Sequence, residues 1–278
     1  PLFLGFLKGV DFFWTTKAMF LPMLFLVVCL LIIFYIYDTI QYKKEEKIPE
    51  PSSSEKIGLK GSFNLLLIIG VVFSVLLSGF WRPHIDFNIY HVHVELQNIT
   101  RDLLLLALAY ASWKFTSKQI REANEFNWFP ILEVAKLFAG IFITIIPAIA
   151  ILKAGTSGAL ALIVNSVSSD SGPVNHMYFW LTGILSSFLD NAPTYLVFFN
   201  TAGGDPQVLM GELSNTLLAI SAGAVFMGAN TYIGNAPNFM VKSIAESSGI
   251  DMPSFFGYFL YSIVILFPLF GLVSWIFF

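Results

Sequence analysis

Apolar segments long enough to cross a lipid bilayer dominate this chain and limit the folds open to it. Met19–Tyr37 and Asn64–Trp81 are almost unbroken apolar runs, and Phe255–Phe278 is a third. Each is close to the roughly 20 residues that a helix needs to span the hydrocarbon core. Because backbone groups in lipid must be paired within the protein, runs of this length fold as helices. We therefore expect an all-α integral membrane protein.

The composition supports a membrane environment and argues against several other classes. Of the 278 residues, 56% are hydrophobic and only 12% are charged, whereas soluble domains carry about 25% charged residues. The net charge of −3 is too small to indicate nucleic acid. The single cysteine, Cys29, excludes a disulfide framework and a cysteine-built metal site. No Walker loop, dinucleotide fingerprint or nucleophile elbow occurs, so we do not expect an enzyme.

Further apolar segments are shorter or interrupted, and we interpret them as additional membrane elements. They are an incomplete crossing at Asp102–Trp113, a span at Trp128–Leu152, an interfacial piece at Thr156–Val167, a segment at Met177–Asn200 broken at Asp190–Pro193, and a segment at Val208–Phe226 that runs into a break at Gly228–Pro237 and ends with Asn238–Ala245. From these bounds we predict a hairpin over 177–200, a broken helix over 207–247 and a last helix over 255–278.

The segment 38–63 combines charges, proline and serine, and it sets the predicted orientation. It is typical of a solvated linker and carries five lysines: Lys43, Lys44, Lys47, Lys56 and Lys60. The positive-inside rule makes it cytoplasmic, together with the basic stretch Lys114–Asn127. Segments 82–101 and 153–176 are then external. We predict a multi-pass protein of the cell inner (cytoplasmic) membrane.

Three histidines, His84, His91 and His93, lie in the external segment 82–101. A zinc site is one interpretation of such a cluster. We expect instead an ordered connection without metal, in which water or backbone groups satisfy the histidines.

The most informative motif occurs twice, as "LDNAPTYLV" from Leu189 and as "IGNAPNFMV" from Ile233. Proline removes a helical hydrogen bond and displaces the preceding residue from helical geometry. At membrane depth such irregular backbone is tolerated only where it lines an enclosed cavity. One alternative is a pair of proline kinks whose Asn side chains recap the helices. The repetition favours two broken helices that form an ion site.

The residues around both motifs are rich in oxygen atoms that suit a hard cation. Pro193 and Pro237 are expected to free the carbonyl groups of Leu189 and Ile233. Asp190 is the only carboxylate in either phrase, and carboxylates at membrane depth are functional by default. The predicted site residues are Asp190, Asn191, Pro193, Thr194, Asn230, Thr231, Gly234 and Asn235, with Na⁺ at Asp190, Asn191, Asn230 and Asn235 and the two freed carbonyls as further ligands.

A weak internal repeat suggests how the chain is organised. Pro1–Leu4 aligns with Pro237–Met240, and Gly9–Asp11 matches Gly249–Asp251 a few residues out of step. Inverted repeats of this kind are typical of secondary transporters. We predict that 1–37 is the tail of a first repeat, 38–63 a linker and 64–278 the second repeat. Most of the first repeat is then expected upstream of residue 1.

The stretches "SSFLDNAPTYLVFFN" and "MGANTYIGNAPNFMVKSIAE" resemble the NhaD-type sodium/proton antiporters of the ion transporter superfamily. This superfamily also contains arsenite permeases and sodium-coupled citrate and dicarboxylate carriers. The resemblance is strongest over 128–278. It implies two inverted repeats, each with a re-entrant hairpin and a discontinuous helix, and Na⁺ at the hairpin tips. By motif, Asp190–Thr194 would be a hairpin tip, and Asn230, Thr231, Gly234 and Asn235 would lie in an unwound segment.

Three functions remain open at this point. The first is Na⁺/H⁺ antiport, in which Na⁺ and protons compete at Asp190. The second is Na⁺-coupled transport of citrate, a dicarboxylate or another anion, and the third is a structural membrane subunit without transport. The carboxylate at the predicted hairpin tip favours the first. The expected partners are Na⁺, H⁺, the lipid bilayer and the N-terminal repeat, with a homodimer left open, no nucleic acid and no cofactor beyond Na⁺.

Overall fold

The structure is a computed structural model that describes residues 2–44, 58, 60–89, 92–124, 126–144, 147, 150–151, 154, 157–158, 161–169 and 172–278. The chain forms two compact units. The first comprises Pro1–Glu45 and Trp128–Phe278, and the second comprises Glu46–Asn127. Most of the linker 38–63, the end of the predicted span Trp128–Leu152 and the start of Thr156–Val167 lie outside the described residues.

The described helices follow one another along the chain in this order. They are α1 (Leu2–Leu7), α2 (Phe12–Tyr42), α3 (Phe63–Phe80), α4 (Leu96–Phe115), α5 (Lys118–Ala123), α6 (Phe129–Thr144), α7 (Ala161–Ser166), α8 (Asn175–Phe188), α9 (Asn191–Thr201), α10 (Pro206–Met210), α11 (Ser214–Phe226), α12 (Ala236–Ser247) and α13 (Phe255–Phe277). Two antiparallel pairs of strands accompany them: β1 (Asp86–Ile89) with β2 (Val92–Glu95), and β3 (Ser168–Ser169) with β4 (Gly172–Pro173).

Three described helices are long and apolar enough to cross a membrane: Phe13–Tyr42, Phe63–Phe80 and Phe255–Phe277. They agree with the predicted helical membrane protein. Much of their apolar surface is exposed, as expected of helices whose solvent is lipid. The short strand pairs depart from an all-α fold, but they lie in connections between helices.

Two helices extend beyond the apolar runs that predicted them. Helix α2 continues past Tyr37 to Tyr42, and α4 begins at Leu96 instead of Asp102. Polar side chains return hydrogen bonds to the backbone in these extensions, since the hydroxyl of Thr39 bonds the carbonyl of Tyr35 and that of Thr100 bonds the carbonyl of Leu96. Hydropathy therefore marked the apolar part of each helix and missed its polar ends.

In the second unit, α3 packs against α4, and a polar cluster joins the two helices. The side chain of Asn64 donates to the hydroxyl of Thr116 at 2.9 Å and accepts from that of Ser112 at 2.7 Å. Such contacts give two apolar helices a defined register where hydrophobic burial between them contributes little.

In the first unit, the core lies where α8 crosses α11. A methyl group on Gly223 of α11 would overlap the carbonyl oxygen of Phe179 and lie 3.2 Å from the backbone nitrogen of Gly183 on α8. The glycine therefore lets the two backbones touch, as small residues do between membrane helices. Large buried side chains surround the crossing, among them Phe179, Leu217 and Ile220.

Two parts of the first unit share a pattern that bears on the proposed repeat. Helix α1 leads through Gly9 (φ +99°) into α2, and α12 leads through Gly249 (φ +79°) into α13. The caps differ, because Asp11 caps α2 whereas Ser254 caps α13. The inverted repeat and its boundaries stay a prediction, and packing groups the N-terminal 45 residues with 128–278.

Candidate functional site

The first NAP phrase lies at a sharp reversal between α8 and α9. Leu189 and Asp190 have extended backbone with ψ angles of 145° and 147°. The ring of Tyr178, near the start of α8, lies 6.1 Å from that of Phe198, near the end of α9. In a continuous helix these residues would be about 30 Å apart. The two helices therefore form a hairpin with Asp190 at its tip.

The second phrase lies at the interruption between α11 and α12. After Phe226 the chain forms a 3-10 turn, Met227–Asn230, and then runs without helix through residues 231–235. Asn235 is the N-cap residue of α12, with an extended backbone, and its side chain makes no capping hydrogen bond. The second interruption therefore lies between the end of α11 at Phe226 and the start of α12 at Ala236.

The prolines begin helices rather than breaking them. Pro193 and Pro237 each occupy the first turn of a helix, α9 and α12 respectively. Backbone N–H groups in a first turn have no helical partner, so proline costs little there. Leu189 and Ile233 lie outside the helices. The expected mechanism, in which proline removes a helical hydrogen bond to these carbonyl groups, is therefore corrected: α8 and α11 have already ended.

The second interruption contacts the end of α8 at Gly234. A methyl group on this residue would lie 2.9 Å and 3.0 Å from the carbonyl oxygens of Ser186 and Ser187, in the last turn of α8. It would also lie 2.6 Å from the carbonyl oxygen of Gly228. No side chain fits in this space, so the position requires glycine for close backbone contact. The end of α8 and the second interruption consequently form one junction.

Side chains satisfy many backbone carbonyl groups of this junction. The hydrogen bonds are Ser186 Oγ to Ala224 O (2.6 Å), Ser187 Oγ to Met227 O (2.9 Å), Asn238 Nδ2 to Gly228 O (2.9 Å) and Thr231 O (3.0 Å), and Tyr258 OH to Ala229 O (3.0 Å). The carbonyl groups left where α11 ends would otherwise be buried without partners. Most of them already have a hydrogen-bond donor, so side-chain oxygens are the more available ones.

In both phrases the residue directly after Asn-Ala-Pro donates a side-chain hydrogen bond to the backbone of the interruption. Thr194 follows Asn-Ala-Pro in the first phrase and donates its hydroxyl to the carbonyl of Asp190 at 3.1 Å. Asn238 holds the same position in the second phrase and bonds two carbonyl groups. Asn238, Ser186, Ser187 and Tyr258 were not among the predicted site residues. The repeated polar residue after each proline was the one available signal for Asn238.

Asn230 and Thr231 are fully buried and attached to the end of α8. The amide nitrogen of Asn230 donates to the hydroxyl of Ser187 at 2.9 Å. The hydroxyl of Thr231 donates to the carbonyl of Ser187 and accepts from the backbone nitrogen of Gly234 at 3.0 Å. The Oδ1 atom of Asn230 is buried without a hydrogen-bond partner among the described residues. This oxygen is therefore available as an acceptor inside the junction.

Asp190 carries the charge of the site. It is the N-cap residue of α9 and partly buried, and the backbone N–H groups of Asn191 and Ala192 lie beside its carboxylate. Within the described residues no lysine, arginine or histidine forms an ion pair with it. The start of a helix favours a negative charge but only partly compensates it. Asn191, Pro193 and Asn235 are also partly exposed, so this side of the junction is the more open one.

Two other ionisable groups of the first unit, Glu133 and Lys242, have partners of their own. Glu133 of α6 accepts a hydrogen bond from the hydroxyl of Ser243 on α12. Lys242 pairs with Glu246 at 2.5 Å, and its ammonium group lies 5.6 Å from the centre of the Tyr232 ring. The first contact joins α12 to α6, and the second places Lys242 beside Tyr232 of the second interruption.

The predicted histidine cluster is only partly described. His84 lines a cavity of about 320 Å³ in the second unit together with Ile85, Asp86, Glu95 and Asn98. His91 and the side chain of His93 lie outside the described residues. Within the residues that are described, no three histidine, cysteine or acidic side chains gather to hold a metal ion. The metal-free connection stays a prediction.

Comparison with protein families gives a match over the whole chain. A family model described as "Putative citrate transport" matches residues 1–278, the whole chain. No curated protein and no solved structure matches.

Proposed function

Because the chain belongs to this citrate transport family, and is thus a multi-pass membrane transporter, we propose that it is a secondary active transporter that binds Na⁺ where the hairpin arm α8 ends against the second interruption. The ligands would be Asp190, Asn191, Asn230 and Asn235. Thr194, Thr231 and Gly234 hold the backbone around them.

The observation that carries this proposal is the orphaned Oδ1 atom of Asn230. A buried polar atom without a partner costs about 1–3 kcal/mol, and native structures leave few of them. Asn230 is 0% exposed, and its own amide nitrogen is already bonded. A Na⁺ ion at this position would satisfy the oxygen, as uncharged oxygens do at the broken helices of transporters.

Asp190 supports the proposal by its charge. A carboxylate inside a membrane protein requires a compensating charge, and no basic side chain among the described residues forms an ion pair with Asp190. Either a proton or Na⁺ would neutralise it, but not both at once. Alternating exposure of such a site to the two sides of the membrane would exchange Na⁺ for H⁺. The leading candidate is therefore Na⁺/H⁺ antiport, as the resemblance to NhaD-type antiporters implies.

The second candidate is a Na⁺-coupled carrier of citrate or a related anion, and the family description supports it equally. The structure adds one specific observation. Helices α9 and α12 both begin at the junction, and helix N-termini carry partial positive charge that attracts the carboxylates of a substrate. In this case Na⁺ at Asp190 would also reduce the repulsion between that side chain and the anion. A subunit without transport has no support from the family.

One experiment separates the two candidates. The protein is reconstituted into liposomes that contain a pH-sensitive dye, the membrane potential is clamped, and Na⁺ is added outside with or without citrate. An antiporter makes the interior alkaline with Na⁺ alone. A citrate carrier takes up labelled citrate only with Na⁺ and produces no pH change without citrate. If transport of neither H⁺ nor citrate depends on Na⁺, the proposed coupling is wrong. Protein-free liposomes are the control.

A further inference from the structure

We infer that Ser187 is a positioning residue that turns the amide oxygen of Asn230 toward the cation. This inference rests on the proposed function and adds a residue to it. Ser187 lies in the last turn of α8, three residues before Asp190, and is 2% exposed.

The hydroxyl group of Ser187 has a single proton, and its neighbours decide where that proton goes. Two backbone carbonyl oxygens lie 2.9 Å from Oγ, those of Gly183 and Met227. A carbonyl oxygen can only accept, so the proton of Ser187 is committed to one of these two atoms. Toward its third neighbour, Asn230, the hydroxyl can therefore only act as an acceptor.

This constraint fixes the orientation of the Asn230 side chain. An amide keeps almost the same shape when its oxygen and nitrogen exchange places, and only hydrogen bonds distinguish the two orientations. Because Ser187 can only accept, Asn230 must direct Nδ2 at it, at 2.9 Å. The Oδ1 atom then faces the other way, where no described residue donates to it. An oxygen held in that direction is suited to a cation and unsuited to a hydrogen-bond acceptor.

A second hydrogen bond joins the backbone of Ser187 to the residue that follows Asn230. The carbonyl of Ser187 accepts from the hydroxyl of Thr231, which in turn accepts from the backbone nitrogen of Gly234. Asn230 and Thr231 are both 0% exposed. Ser187 therefore bonds to the second interruption through both its side chain and its backbone. Only the side-chain contact sets the orientation of the Asn230 amide group.

The neighbouring serine provides a matched control. Ser186 is also fully buried, and its hydroxyl donates to the carbonyl of Ala224 at 2.6 Å, near the end of α11. Ser186→Ala and Ser187→Ala each remove one buried hydroxyl that joins α8 to the end of α11. Only Ser187→Ala also removes the acceptor for Asn230. A purely structural role would make the two variants behave alike.

The test measures the Na⁺ concentration that gives half-maximal transport, the maximal rate, and thermal unfolding of the purified protein. We expect Ser187→Ala to raise the half-saturating Na⁺ concentration about fivefold to tenfold, the effect of losing one orienting hydrogen bond, with the maximal rate within about twofold. Ser186→Ala should lower thermal stability about as much as Ser187→Ala does. It should change the Na⁺ requirement less than about twofold. Ser187→Thr, which keeps the hydroxyl, should restore the wild-type requirement.

The outcomes distinguish this inference from the proposed function. Equal shifts of the Na⁺ requirement in Ser186→Ala and Ser187→Ala, or no shift in Ser187→Ala, would overturn the positioning role while Na⁺ coupling stands. A wild-type protein without any dependence on Na⁺ would overturn both. If Ser187→Ala does not assemble, Ser187→Cys replaces it: its weaker acceptor should raise the Na⁺ requirement, and an unchanged value would contradict the inference.

Discussion

The two NAP phrases share Asn-Ala-Pro and a valine four positions after the proline, but they form different kinds of interruption. The first is only two residues long, Leu189 and Asp190, and it joins the arms of a hairpin. The second extends from Met227 to Asn235, and side chains from three helices satisfy its carbonyl groups. Asn230 and Thr231 in the second are fully buried, whereas Asp190 in the first is partly exposed.

This difference indicates a division of roles. The second interruption forms a fixed platform, because side chains of α8, α12 and α13 hydrogen-bond its backbone. The first carries the charge and is held mainly through Thr194 and the end of α8. Under the proposed function the platform supplies oriented, uncharged oxygens, and the hairpin tip supplies the carboxylate that exchanges a proton for a cation.

The largest expected effect comes from a substitution where α8 crosses α11. Gly223→Ala places a methyl group against the carbonyl of Phe179, a backbone atom that cannot move out of the way. We expect the free energy of unfolding to fall by about 3 kcal/mol, the upper part of the range for overpacking. The measurement is an unfolding titration in mixed detergent micelles.

The control for this variant is Gly271→Ala. Gly271 also lies within a helix, α13, but a methyl group there meets nothing within 4 Å. It should leave stability unchanged or raise it slightly, since alanine favours helix more than glycine does. Equal stability of the two variants would show that α8 and α11 are not in close contact.

A smaller effect is expected when the platform loses its main recapping side chain. Asn238→Ala leaves the carbonyls of Gly228 and Thr231 without their donor. We expect a loss of about 2 kcal/mol in the free energy of unfolding, measured in the same titration. Asn215→Ala, at an exposed position of α11, is the matched control. A loss no greater than that of the control would mean that the second interruption is not a fixed platform.

The smallest expected effect on stability concerns one hydrogen bond of the platform, donated by a side chain outside both phrases. Tyr258→Phe removes the hydrogen bond to the carbonyl of Ala229 but keeps the ring that stacks on Tyr232 at 4.4 Å. The loss should be about 1 kcal/mol, read from the unfolding midpoint. Tyr261→Phe on the same helix is 61% exposed and should change nothing. Similar unfolding midpoints for the two variants would show that the hydroxyl of Tyr258 does not stabilise the platform.

The sequence was sufficient to locate both interruptions, because Asn-Ala-Pro inside apolar segments has few other interpretations in a membrane protein. It also indicated which residues carry oxygen atoms there. It did not show that the prolines begin helices, since this depends on where α8 and α11 end. Nor did it reveal Ser186, Ser187 and Tyr258, whose partners at the end of α11 and in the second interruption lie between 29 and 44 residues away along the chain. Contacts of this kind depend on tertiary packing, which local motifs do not encode.

Na⁺ binding to the purified protein tests most directly the claim that the hairpin tip supplies the charge. The measurement is a binding isotherm with labelled Na⁺ for the wild type, Asp190→Asn and Asp205→Asn. Asp205 is the exposed N-cap residue of α10, and asparagine caps a helix about as well as aspartate. The account predicts saturable binding in the wild type and in Asp205→Asn, and a loss of affinity of at least about tenfold in Asp190→Asn, because a charged ligand becomes neutral. Wild-type affinity in Asp190→Asn would contradict it.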